Sequence, residues 1–415
     1  MGSDPGAGGE RGTIYLVRLV MPGLAMIAVT YGLARFAYGL FLPELREAFG
    51  LPPALLGLIG AGSYVAYCVA VIFSLTFTSR TGPRLMAVTA GAVAVAGIAM
   101  VAAAPAAWVL ALGVLVAGSS TGLASPPMGE AVANSVGEDE QDRANALINS
   151  GTSVGVALSG PAALLAAEQW RVAWAAFASV GVAVLVWNAL AIPPKPSGRA
   201  ADKGFRKTPE DGGSSAAGNG GDEAALEGPP LSLGYLLGRR SVPLFAAAGG
   251  MGFASAAYWT FSRDLVVQAG GLGETGSTLF WTVIGVSGLA GGAAGDLVRR
   301  FGLKKALRGS LFALAAAVAL LAAAPGVLPL SYASAALFGA TYIMLTGIIL
   351  VWSVAVFSER PSAGLGAAFL LIAVGQAIGA PMAGALAGAT GMQVAFFVFA
   401  GLAALTALVR PGDVS

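Results

Sequence analysis

Tyr38-Gly39-Leu40-Phe41-Leu42-Pro43-Glu44-Leu45 and Tyr258-Trp259-Thr260-Phe261-Ser262-Arg263-Asp264-Leu265 carry the same landmarks 220 positions apart (38 to 258). A tyrosine, a phenylalanine, an acid and a leucine recur in register, and further pairs coincide outward from them at that one offset. Arg80, Gly82 and Arg84 fall on Arg300, Gly302 and Lys304; Pro105 falls on Pro325, Gly155 and Pro161 on Gly375 and Pro381, Phe177 on Phe397, and Gly181 on Gly401. Abundant alanine and glycine generate chance matches among small residues, but not a gap-free series of tyrosines, prolines and arginines. The chain reads as an internal duplication.

The 415 residues are 56% hydrophobic and 11% charged, about half the charged fraction of a soluble domain, and the mean hydropathy is +0.78. Lipid is therefore the expected solvent. Spanning a bilayer takes roughly 20 apolar residues as a helix, and apolar runs lie near 17–45, 53–78, 84–104, 107–134, 144–168 and 172–193, then near 242–268, 275–296, 305–324, 327–357, 361–388 and 391–409. The expected fold is an all-α membrane protein with twelve transmembrane helices in two pseudo-symmetric six-helix bundles. One bundle covers 1–193 and the other 233–415. Residues 194–232 are polar, rich in Pro, Gly and Ser, and without apolar period, so they read as a mobile cytoplasmic linker. The first apolar run is too long for a removable signal and is read as the first membrane helix.

Lysine and arginine accumulate on the cytoplasmic side of membrane proteins. With an inner N-terminus, that side collects Arg11, Arg18, Arg80, Arg84, the linker cations, Arg239, Arg240, Arg299, Arg300, Lys304, Lys305, Arg308, Arg360 and Arg410, leaving Arg46, Arg171 and Arg263 outside. Both termini and the linker are thus expected in the cytoplasm of a plasma membrane. The wealth of alanine and glycine is compatible with a bacterial inner membrane.

Several chemistries are excluded. Histidine is absent, which removes the usual proton switch and the commonest metal ligand. Cys68 stands alone and reads as packing, so neither a disulfide nor a thiolate metal site is expected. A net charge of +2 with no basic stripe gives nucleic acid nothing to bind. The run Gly271-Leu272-Gly273-Glu274-Thr275-Gly276 matches a dinucleotide fingerprint in letters but follows a membrane helix rather than a strand, and reads as a turn. No cofactor is expected. Nothing pairs a nucleophile with a base, so an enzyme is not expected either.

Parallel six-helix repeats suit a carrier that rocks two halves about a site near the midplane. Arg35 is the sharpest candidate for that site. It lies deep in the first apolar run, where a charge is expensive and functional, and its counterpart at the 220 offset is Ser255. Tyr31 and Tyr38 stand at positions that share its helix face. The planar fork of an arginine matches a carboxylate, with Tyr31 or Tyr38 completing the shell; the competing reading of Arg35 is an internal clamp that fixes helix packing. Neutral lining candidates are Tyr64, Tyr67, Asn149, Ser153, Tyr258, Ser262, Trp281, Tyr342, Thr346 and Gln376, each of which could equally serve packing or bond its own helix. Among acids, only Glu130 stands where a cavity proton carrier could, and an ion pair with Arg80 or Arg143 is an equal reading. Ser125-Pro126-Pro127 is expected to bend helix four.

The loop after helix two, Ser79-Arg80-Thr81-Gly82-Pro83-Arg84, keeps the glycine and cations of the marker between helices two and three of the major facilitator superfamily, which the chain resembles over its whole length. Its second-half copy, Gly295 followed by Arg299-Arg300-Phe301-Gly302-Leu303-Lys304-Lys305, does the same. The marker's aspartate is replaced by Ser79 and Arg299, with Asp296 one turn earlier as the substitute. The resemblance implies cavity walls from helices one, four, seven and ten, favouring Tyr258 and Tyr342, and a cytoplasmic gate built from Arg80, Arg84, Asp296, Arg300 and Glu130. Tyr31-Gly32-Leu33-Ala34-Arg35-Phe36-Ala37-Tyr38-Gly39-Leu40, ending at Leu42-Pro43, is similar to helix one of the YbfB-type branch. Gly155, Gly160 and Pro161 partly resemble an antiporter motif, from which no exchange mode is inferred. The expected function is secondary-active transport of a small organic anion by alternating access, with a small-molecule substrate, the lipid bilayer and candidate coupling protons as partners of a monomer. The alternatives are proton-coupled efflux of apolar or cationic compounds, and a receptor that binds without transport.

Overall fold

The computed structural model describes residues 16–166, 169–193 and 238–411, all of them helical or in short connections. The expected linker at 194–232 lies outside them. The helices are labelled α1 (Arg18–Leu40), α2 (Pro53–Thr81), α3 (Pro83–Ala102), α4 (Ala107–Ser135), α5 (Glu138–Leu165), α6 (Trp170–Ala191), α7 (Ser241–Gln268), α8 (Glu274–Phe301), α9 (Leu303–Ala323), α10 (Leu328–Val356), α11 (Pro361–Thr390) and α12 (Met392–Thr406). Among the described residues, nine helices are long and apolar enough to cross a membrane; α5, α7 and α12 lie outside that set.

Local sequence sets the ends. Proline opens α2, α3 and α11, where its missing N–H has no intrahelical partner to lose. Gly82 and Gly302 hold positive φ (86° and 78°) at the α2–α3 and α8–α9 corners, equivalent places in the repeat. The first apolar run is broken rather than continuous. Pro43, lacking an N–H, starts a separate short helix, Leu42–Phe49, after Phe41. Inside α1 the segment Ala28–Phe36 is wound as π-helix, a wider turn that alters the face on which Tyr31, Arg35 and Tyr38 were expected to meet. In α8 a tighter 3₁₀ stretch, Leu289–Ala293, interrupts the glycine-rich middle. Pro126 and Pro127 sit inside α4, which runs as one α-helix from Ala107 to Ser135.

The packing recurs with the spacing of the sequence repeat. Helix α2 packs on α4 and α8 on α10; α3 on α4 and α9 on α10; α3 on α6 and α9 on α12; α1 on α5 and α7 on α11. Two further contacts, α2 on α11 and α5 on α8, join the two sets. Glycines permit the closest of these approaches: a Cβ on Gly32 of α1 would collide with the backbone of Gly155 of α5. Large aromatics, Trp174, Trp281 and Trp352 among them, fill the interior, whereas apolar side chains such as Val69 (66% exposed) and Leu190 (79%) face outward, as a lipid-facing surface requires.

Candidate functional site

Arg35 hangs from the π-helical part of α1 into the interior, only 7% exposed. Its Nη2 donates to Oε1 of Gln376 on α11 (3.1 Å), and Gln376 Nε2 donates to the Tyr342 hydroxyl on α10 (3.1 Å). Four rings surround the guanidinium carbon: Tyr64 at 4.6 Å, Tyr67 at 4.7 Å, Phe36 at 5.4 Å and Tyr31 at 5.8 Å from their centroids. No ion pair among the described residues involves Arg35. Rings and one neutral amide therefore hold a buried cation whose charge no carboxylate among the described residues balances.

Beside the guanidinium lies a cavity of about 10 Å³, room for roughly one water molecule. Phe36, Tyr38, Ser63, Tyr64, Trp259 and Thr260 help to line it. Phe36 and Trp259 stack across α1 and α7 at 4.1 Å, and Trp259 meets the edge of Tyr342 at 5.1 Å. Gly39 makes this possible, because any side chain there would strike the Trp259 backbone. Three residues of this lining carry a buried polar atom with no hydrogen-bond partner among the described residues: Arg35 Nε, Trp259 Nε1 and Ser63 Oγ, the last also packed against Gly118 of α4.

The structure thus brings together Arg35, Tyr31, Gln376 and Tyr342, with Tyr38 on the cavity wall. Neither expected tyrosine hydroxyl bonds the guanidinium. Tyr31 shares a hydrogen bond with Ser125 of α4 (2.8 Å), and Tyr38 donates to the Leu56 carbonyl of α2 (2.8 Å). Tyr258 is fully buried elsewhere, its hydroxyl bonded to Ser334 (2.8 Å) and its ring stacked on Phe338 at 3.7 Å. Asn149 is exposed on α5 and takes no part in the cluster.

At the marker loops, Asp296 pairs with Arg299 of its own helix, both largely exposed. Arg300 is exposed with its guanidinium carbon 5.3 Å from the Phe301 ring, and Arg80 is exposed 5.9 Å from that of Phe77. Arg84 and Glu130 are half-buried, and Glu130 makes no ion pair among the described residues.

Sequence reasoning missed what joins the opposite end. Arg263 of α7 donates to both Glu44 oxygens (2.6 and 2.7 Å), to the Leu40 carbonyl and to Ser277 (3.2 Å), and Arg46 donates to Asp264 (2.9 Å). The two acids are equivalents at the 220 offset, each paired with a cation from the other repeat. That juxtaposition of acids and cations in the duplicated stretches was the available signal. Ser63 and Trp259 were also missed, since a serine and a tryptophan in apolar helices read as packing.

The sequence pattern of the Major Facilitator Superfamily matches residues 24–363. No curated protein matches the chain at a significant level. Among solved structures, a mutant of the nucleoside transporter NupG superposes with a TM-score of 0.70 at 13% identity, covering 94% of this chain and 98% of that one. A bacterial homologue of the human lysosomal transporter Spinster, inward-facing and unoccupied, gives 0.72 at 12% identity, covering 98% and 96%. A POT family transporter in complex with 5-aminolevulinic acid gives 0.70 at 13%, covering 96% and 95%. At such identity the likeness is one of fold.

Proposed function

This chain belongs to the Major Facilitator Superfamily, and on that premise we propose that it is a secondary-active transporter of a small organic anion, with Arg35 holding the anionic group. Family and fold point to a transporter, not an enzyme. The observation that carries the substrate class is the uncompensated charge of Arg35. A guanidinium buried among membrane helices without a carboxylate is costly, and an anionic ligand is the partner that removes the cost. The ring cage is already occupied by Arg35 itself, which disfavours a cationic substrate there.

Twelve crossings in two six-helix bundles, residues 1–193 and 233–415, complete the reading, with 194–232 between them. The recurrence of each helix pairing six helices later supports it. The lysine and arginine bias puts both termini inside, so the Glu44 and Arg263 end faces out and its crossed ion pairs close the outer gate. We assign the marker cations Arg80, Arg84 and Arg300, with Asp296, to the cytoplasmic gate, and Glu130 as the first candidate for proton coupling. The likeness of α1 to the YbfB-type branch is part of this proposal, as are the monomer and the bacterial inner membrane. Gln376 and Tyr342 extend the Arg35 site; Tyr31 and Tyr38 shape it; Asn149 and Tyr258 stand outside it in this conformation.

A ligand-stabilisation screen tests the assignment, since a bound ligand raises apparent stability by mass action. Small carboxylates should raise the Tm of the purified protein and leave Arg35→Ala unmoved. Stabilisation by lipophilic cations alone, equal in both proteins, would replace this reading with efflux.

A further inference from the structure

Three residues that line one small cavity, Arg35, Ser63 and Trp259, each carry a buried polar atom without a partner among the described residues, and together they say more about the ligand than Arg35 alone. Arg35 Nε–H and Trp259 Nε1–H can only donate, and the Ser63 hydroxyl can donate as well, so none of the first two can satisfy the other. Their side chains are 7%, 4% and 3% exposed, respectively. A buried donor without an acceptor is expensive, and two donor-only groups on residues that line one cavity call for an acceptor there.

We propose that Arg35 Nε, Ser63 and Trp259 form a three-donor pocket for a single carboxylate, and that the substrate is a monocarboxylate with an apolar body and no ammonium group. This deepens the organic-anion reading and rests on it. The cavity lining contains one cation and no acid. A second carboxylate would be buried without a cation, and an ammonium group without an anion, each at a cost the lining does not offset. Once the stacked pair Phe36 and Trp259 parts, the ring faces they now turn to each other would meet an apolar body instead. The pocket is shared between α1 and α2 of the first repeat and α7 of the second, so one carboxylate bonded to all three would draw the repeats together. Because the cavity here holds roughly one water, the stacked pair Phe36 and Trp259 must part to admit the ligand.

Two matched pairs of probes test the charge count on the purified full-length protein, read as thermal stabilisation against concentration. Butyrate and succinate differ by one carboxylate; 3-phenylpropionate and phenylalanine differ by one ammonium group. At least one monocarboxylate is expected to stabilise the protein, with its matched partner at least about tenfold weaker. Ser63→Ala removes one donor with little change of shape and should weaken the monocarboxylate by about tenfold, the loss of one hydrogen bond to a charged group; Trp259→Phe removes the indole N–H together with part of a packed ring and should weaken it by at least as much. Succinate or phenylalanine binding as well as its partner overturns the charge count, whether or not the variants fold. If Arg35→Ala abolishes stabilisation while Ser63→Ala and Trp259→Phe bind as the parent does, the three-donor pocket is wrong and the organic-anion reading survives. Stabilisation by tetraphenylphosphonium but by no monocarboxylate overturns both.

Discussion

Arg263→Ala removes the more enclosed of the two cations that join the ends of α1 and α7. Arg263 is 3% exposed, and its guanidinium serves both Glu44 oxygens, the Leu40 carbonyl and Ser277. Deleting one member of a buried ion pair costs about 3–5 kcal/mol, mostly from the charge left behind. The Glu44 side chain is 24% exposed, so water recovers part of this and about 3 kcal/mol is the working figure. The loss falls only on the conformation in which the two ends meet. A factor of ten per 1.4 kcal/mol makes that a shift of about 100-fold toward separation. Nitroxide labels at Ala48→Cys and Ala269→Cys, both exposed at this end, report the separation by pulsed electron resonance in a Cys68→Ser background. The parent should show a short distance and Arg263→Ala a longer one, with Glu44→Gln changing in the same direction. An Arg263→Ala distribution that coincides with the parent's would refute the gate.

The contrasting pair at the other end, Arg299 with Asp296, is 80% and 70% exposed, so Asp296→Asn should leave the same distance distribution unchanged. Arg35→Lys keeps the charge but loses the planar fork, and carboxylate affinity measured by thermal shift should fall at least about tenfold; undiminished affinity would reduce Arg35 to a point charge. Gly155→Ala places a methyl against the Ala28 backbone and should lower the Tm of the purified protein by the equivalent of about 1–3 kcal/mol. Gly292→Ala, with open space at the added carbon, should cost nothing comparable.

The helices were legible because lipid imposes long apolar runs, and the offset at which tyrosine, proline and arginine coincide is also the spacing at which the helix pairings recur. Arg35 stood out for the same reason, a charge where none is cheap. Its neighbours were harder. Gln376 lies 341 residues away and the gate partners 218 and 219 residues apart, so their meeting depends on how α1, α7 and α11 pack rather than on any local spacing. The family resemblance favoured Tyr258 through the helix-seven wall that it implies. Its equivalent, Tyr38, borders the cavity, but Tyr258 finds Ser334 and Phe338 in the interior of its own repeat. The helix face expected for Tyr31, Arg35 and Tyr38 assumed an ordinary α-helical turn, and the π-helical segment changes it.

Counterflow in proteoliposomes tests the central claim most directly. Vesicles preloaded with an unlabelled monocarboxylate, from a panel of aliphatic and aromatic members, are diluted into the labelled compound. The expected result is transient accumulation of label with the parent protein and none with Arg35→Ala. Label entering equally with both proteins, or accumulation of a lipophilic cation but of no carboxylate, would contradict an anion carrier built around Arg35.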